Sequence, residues 1–233
     1  MSKILVIGSG LYSKIDNNLY DSIYASNTSF LRLNNINDIN LVISDALLFE
    51  ESNLNQHPVI QGFSREASNK LRLEKSSKLN DIKLKRLIIS DSNSEIEIKS
   101  RVLAKNIAAS KLEIIKSNHI WNLYLSAFNL FDLLDIFRRL SFKLKIKFIG
   151  QLILRRRMST EYRPSLGLIS IMLAKKENPN SIIIVDGIGQ IESDGSRKAY
   201  YGSSNPFLYM EKSHTFDTVY LSILIKSNHI QLN

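Results

Sequence analysis

The chain contains no cysteine. Disulfides, thiolate nucleophiles and cysteine-based zinc sites are excluded, and a reducing compartment is compatible. Histidine is scarce. His57, His119, His214 and His229 lie far apart and form no His-x-x-x-His pair, which argues against a zinc site. Long apolar runs are also missing: no stretch reaches the roughly 18 uninterrupted apolar residues of a spanning helix. The opening "MSKILVIGSG" has one lysine and a very short apolar stretch broken by glycine, unlike a signal peptide. The expectation is a cytoplasmic protein, soluble or peripheral to the inner face of the membrane. Aromatics make up only 9% and are not interleaved with a basic stripe, as they are in single-strand binders. No base-reading module is visible, so nucleic acid is not the expected partner.

What is present fits one folded unit. The 233 residues are 44% hydrophobic and 23% charged, enough for a single domain over 1–233 with one substantial core. The net charge of +9 favours anionic partners. Residues 138–157 hold eight Lys/Arg and no acid. That run is a solvated basic face or a surface that meets anionic membrane.

The apolar pattern is that of an α/β protein. "ILVI" is a buried strand running into a glycine turn. "TSFLRLNN", "INLVISD", "RLIIS" and "KLEIIKS" read as further strands. "SKIDNNLYDSIYASN" holds too many Asn and Asp for a strong helix. Residues 64–86 read as a polar surface helix or loop, and 94–110 as a helix capped by Ser94. "HIWNLYLSAFNLFDLLDIFRRL" reads as one long helix, apolar on more than one face. In "SFKLKIKF" apolar residues alternate with lysines, a period of two. A helix over Ser165–Lys175, a strand Ile182–Asp186, a loop over 187–213, a helix over Thr215–Lys226 and a short "HIQL" strand complete the chain. The expected fold is Rossmann-like α/β with a mainly parallel sheet. Residues 111–160 read as a helical, basic lid or acceptor-side insertion.

Four segments carry candidate chemistry. In "GSGLYS", Gly8, Ser9 and Gly10 let backbone N–H groups approach a phosphate or sugar; a plain tight turn reads equally well. Asn34 and Asp45 end two strand segments, where α/β ligands sit, although both are ordinary turn residues. In "RPSLGLISIMLA", Pro164 suits a first helical turn and Ser165 can cap or bind. Gly167 permits close approach, and Arg163 adds a permanent charge where the helix dipole favours an anion. An ordinary capped helix is the plainer alternative. Tyr200 and Tyr201 lie in the loop after "IVDG" (Asp186, Gly187). His214 opens the last helix, where a positive dipole end favours a neutral imidazole; it is otherwise a cap or surface residue.

In this order, "IGSG", "FLRLNN", "RPSLGLISIMLA", "IIIVDGIG", "AYYG" and "SHTFDTVYLSIL" resemble the motifs of sialyltransferases. The likeness is to the bacterial glycosyltransferase family 42 and to the short motifs of the animal-type family 29. It covers about residues 3–50 and 160–226. The resemblance implies inverting, metal-independent transfer of sialic acid, or a related nonulosonic acid, from a CMP-sugar to a glycan or glycolipid hydroxyl. CMP-sugar would be the donor substrate, with no separate cofactor. It implies His214 as general base and Tyr200 and Tyr201 at the leaving phosphate. Gly8, Ser9, Gly10, Asn34, Asp45, Arg163, Ser165, Leu166, Gly167, Asp186 and Gly187 would line the donor pocket. No Asp-x-Asp pair is present to hold a divalent ion. The chain departs from the family at Ser9, where Asn is usual, at Leu166, where Thr or Ser is usual, and at Asp45, which matches an Asn. Val219 stands where family 29 has Glu.

Two other functions fit parts of the pattern. An NADP-binding Rossmann oxidoreductase would use "VIGSG" with Arg32 for a 2′-phosphate, but lacks the third glycine. A non-catalytic glycan- or lipid-binding relative would keep the fold without transfer.

Overall fold

Seven strands form one sheet in the order β5-β4-β3-β2-β1-β6-β7, every neighbouring pair parallel. The strands are β1 Lys3–Ile7, β2 Ser22–Ser26, β3 Ile39–Ser44, β4 Lys83–Ser90, β5 Ala108–Ile115, β6 Ile182–Asp186 and β7 Gln231–Leu232. The computed structural model describes residues 2–8, 15–48, 64–90, 94–156, 158, 163–188, 215–226 and 230–232. Among the described residues, the first two crossovers carry the 3-10 segments Asn17–Leu19 and Asn27–Arg32. Helix α1 (Arg65–Ser77) joins β3 to β4, and α2 (Glu95–Ala104) joins β4 to β5. Between β5 and β6 lie α3 (Ser117–Ala127), α4 (Leu130–Arg138), α5 (Phe142–Ile153) and α6 (Leu166–Glu177). Helix α7 (Thr215–Lys226) leads to β7. The fold is Rossmann-like α/β, as the apolar runs implied.

The strands are apolar on both faces because helices or turns cover both, as parallel sheets require. Leu5, Ile7, Ile23, Ala25, Leu41 and Ile43 pack with Phe30 of the 3-10 segment and Ile98 and Val102 of α2. Their neighbours Ile4, Val6, Tyr24, Val42 and Ile88 pack with α3, α6 and α7. On that second face the side chains change along the strands in stepped bands. Tyr24 and Arg86 join Glu113 through Glu177 in a polar network. Val6, level with Tyr24, and Val42 and Ile88, level with Ser26, are dry. By the alternation of the pleat, Ser26, Ser44 and Ser90 then end β2, β3 and β4 on the same face.

Four segments differ from the sequence reading. The helix read over 94–110 ends at Ala104, and β5 begins at Ala108. The second strand is Ser22–Ser26, and "TSFLR" winds into 3-10 turns. Asn27, at φ 52°, breaks the strand, and Ser26 and Ser29 form a capping box. The long helix is two. Phe128 is extended, and Asn129 restarts the chain as α4 with a reciprocal cap to Asp132. The alternating "FKLKIKF" is helical, α5. Only its Leu144, Phe148 and Leu152 reach the core; Phe142 and Ile146 point outward.

Within 111–160, residues 111–115 complete β5. Helix α3 is a core helix that buries Trp121 and Tyr124. The excursion proper is α4 and α5. Phe148 anchors it, stacking edge-on against Trp121 and Tyr124, and the Trp121 indole N–H donates to the Arg156 carbonyl. Among the described residues, no helix is long and apolar enough to cross a membrane.

Candidate functional site

The chain winds outward from β1 through β2 to β5, then returns to place β6 on the other side of β1. Beyond the carboxyl ends of β1 and β6 lies the topological switch point, where open α/β sheets bind ligands. Gly8 follows β1 and donates its N–H to the Asp186 carbonyl at 2.8 Å. A Cβ on Gly8 would lie 2.3 Å from the Gly187 oxygen, so the two strand ends meet only because no side chain stands there. Gly187 has φ 71°, a left-handed conformation that glycine adopts without strain, and it turns the chain out of β6. Ile188 then packs on the first turn of α6, where a Cβ on Gly167 would come within 2.9 Å of its side chain. Three sequence-predicted glycines are thus brought to one place, each held there by its neighbours.

Asp186 points to the face opposite α6. Its carboxylate pairs with the Arg32 guanidinium at 3.2 Å, and Arg32 also reaches the Gly8 carbonyl at 3.4 Å. Both side chains are buried. Arg32, the cation a 2′-phosphate would need in the oxidoreductase alternative, is engaged beneath the strand ends. Tyr20 feels this site: burial raises its phenol pKa, and the Asp186 charge raises it further.

The start of α6 is built as a cap. Ser165 Oγ accepts the Leu168 N–H at 3.3 Å. The Ser165 N–H donates to Asp217 Oδ1 at 3.0 Å. Asp217 is fully buried in the first turn of α7, so the starts of α6 and α7 adjoin. The helix start therefore already faces one carboxylate of its own chain. Pro164 is buried and Arg163 half-buried. Leu166 packs against the core, and its carbonyl accepts the Ser170 hydroxyl at 2.9 Å.

Asn34 and Asp45 stand apart from this cluster. Asn34 is exposed beyond the 3-10 segment after β2. Asp45 opens a 3-10 turn after β3, two strands from β1, about 10 Å at ordinary strand spacing. Ser9, Gly10, Tyr200, Tyr201 and His214 lie outside the described residues. Helix α7 begins directly after His214.

Sequence reasoning missed Asp217 and the strand-end serines. Ser90 Oγ is buried and has no hydrogen-bond partner among the described residues, whereas Ser26 Oγ donates to the Ile7 carbonyl. The signal for the serines is legible in retrospect: "SIYAS", "INLVIS" and "RLIIS" each end an apolar run on a hydroxyl. Asp217 had no such signal, because its role depends on which helix start it meets. Among the described residues, no group of three or more His, Asp or Glu is placed to hold a metal ion.

The fold defines a class, the Rossmann-like α/β proteins. Beyond that class, no family model, no curated protein and no solved structure matches this chain.

Proposed function

We propose that the chain is a glycosyltransferase of sialyltransferase type, which moves sialic acid or a related nonulosonic acid from a CMP-sugar to a glycan hydroxyl. One observation carries this reading. Segments far apart in sequence ("VIG", "RPSLG", "IVDG" and the start of α7) adjoin at the switch-point crevice. The sialyltransferase likeness rests on these segments together with "FLRLNN", which stands apart from them, and "AYYG", which lies outside the described residues.

Ser165 Oγ accepts the Leu168 N–H and keeps its own hydrogen to donate, while Leu166 faces the core. Asp217 places a carboxylate at the α6 start, which repels a phosphate there. On this reading the donor phosphate sits nearer Gly8, with the Arg163 guanidinium as its cation. Tyr200 and Tyr201 would hydrogen-bond the leaving phosphate, and His214 would take the acceptor proton. In that step the acceptor oxygen bonds to the anomeric carbon as the bond to the phosphate oxygen breaks. The hydroxyl proton passes to His214, and CMP leaves.

Incubation with CMP-sialic acid and a panel of galactosides, with CMP release as readout, tests this. Release that depends on acceptor is expected, and His214→Ala should lower it by about 10²-fold or more. No release from any CMP-sugar sinks the catalytic reading. Protection against melting by NADPH rather than CMP would replace it with the oxidoreductase.

A further inference from the structure

Helix α5 has two apolar stripes, and only one is used by the fold. Leu144, Phe148 and Leu152 face the core. Phe142, Ile146, Ile149 and Ile153 face outward, with Phe142 79% and Ile153 72% exposed. At about 100° per residue, these four fall within roughly 60° of arc, a single line along the helix. On α4, Phe131 and Leu134 are also exposed, Phe131 at 82%. Scattered exposed apolar residues need no explanation, but an aligned stripe of this kind marks an interaction site.

The charge around the stripe indicates what covers it. Lys143 and Lys145 flank it on either side, and Lys147 lies beyond Lys143. From 138 to 156 the described residues include seven Lys/Arg and no acid. A second copy of the chain would bring lysines against lysines across a two-fold axis. A helix of 12 residues is about 18 Å long, too short to span a bilayer. An apolar stripe bordered by lysines is the pattern of a helix lying in the plane of a membrane interface.

We infer that the outward face of α5 is a docking surface for an anionic lipid bilayer, with Phe142, Ile146, Ile149 and Ile153 entering the acyl boundary. The lysines meet lipid phosphates. The inference stands independently of the glycosyltransferase reading. It differs from a simple basic patch because the apolar stripe supplies an attraction that salt does not screen.

Co-sedimentation with vesicles tests it. The intact chain is expected to bind phosphatidylcholine vesicles containing roughly one third phosphatidylserine, and to bind pure phosphatidylcholine at least about tenfold more weakly. Raising salt should weaken but not abolish binding. Phe142→Ser with Ile153→Ser should lower binding about tenfold or more, as should Lys143→Glu with Lys147→Glu. All four side chains are exposed, so an unchanged melting curve serves as the control for folding. Absence of binding to the anionic vesicles overturns the inference. So does equal binding to both vesicle types, undiminished binding by both double variants, or concentration-dependent self-association that the Ser variants abolish.

Discussion

At Gly8 the space for a side chain is already filled by backbone. A methyl group there meets the Gly187 carbonyl, which cannot rotate away, so one of the two strand ends must move. Gly8→Ala should cost about 2–3 kcal/mol and lower Tm by several degrees in thermal unfolding. Gly167 differs in kind, since its Cβ would meet the Ile188 side chain. Gly167→Ala should cost less, and Ile188→Ala should relieve part of that cost in a double-mutant cycle. Asp217→Ala removes a buried acceptor and leaves the Ser165 N–H without it. A loss of about 2 kcal/mol or more is expected in denaturant titration, with helix content retained. Sequence reading assigned Gly8, Gly167 and Gly187 to a ligand. Each is also required by a neighbour within the chain, and pattern alone does not reveal which neighbour that is.

At the scale of elements, the N-terminal edge of the sheet is tied by charge. The Tyr24 hydroxyl of β2 donates to Glu177 at the end of α6 at 2.6 Å. Arg86 of β4 donates to Glu177 at 2.8 Å and to Glu113 of β5. Burial, then the hydrogen bond and charge of Glu177, hold the Tyr24 phenol pKa well above its ordinary 10.0. The folded state thus favours neutral Tyr24. That contribution is complete below about pH 10 and is lost as pH rises beyond it. Tyr24→Phe should flatten the alkaline limb of a stability–pH curve, at a cost of about 1 kcal/mol at neutral pH. Burial pushes the Glu113 carboxyl up, but the hydrogen bond and charge of Arg86, with Lys111, outweigh it and leave its pKa lowered. Its contribution is present above the ordinary 4.5 and lost as pH falls below that, so Glu113→Gln should make the acid limb shallower. Elements were misread where two periods coexist. In "FKLKIKF", apolar residues two apart are also four apart in pairs. An alternating run can therefore wind into a helix with one stripe inward and one outward, which α5 does.

For the whole molecule, the parallel sheet was legible because strands covered on both faces are written as unbroken apolar runs, such as Ile4–Ile7 and Leu41–Ile43. The crevice was legible only in part. Gly8, Ser165, Gly167, Asp186 and Gly187 converge; Asp45 does not because β3 is two strands from β1, and Asn34 does not because the 3-10 segment after β2 precedes it. The "SIYAS" strand escaped notice because it is short and sits among Asn and Asp.

The bands on the α6 face have a mechanical consequence. The handle of a fan is riveted, and its blades part only at the rim. Here the rivets are Arg86, Glu113, Glu177 and Tyr24. The rim is the carboxyl edge, where glycines and hydroxyls stand on this face and the Arg32–Asp186 ion pair lies on the other face. Breathing of the sheet is thereby confined to the edge where a ligand would enter. Amide exchange should be slowest toward the starts of β2 and β4 and fastest at their serine ends, and Arg86→Leu should erase that gradient.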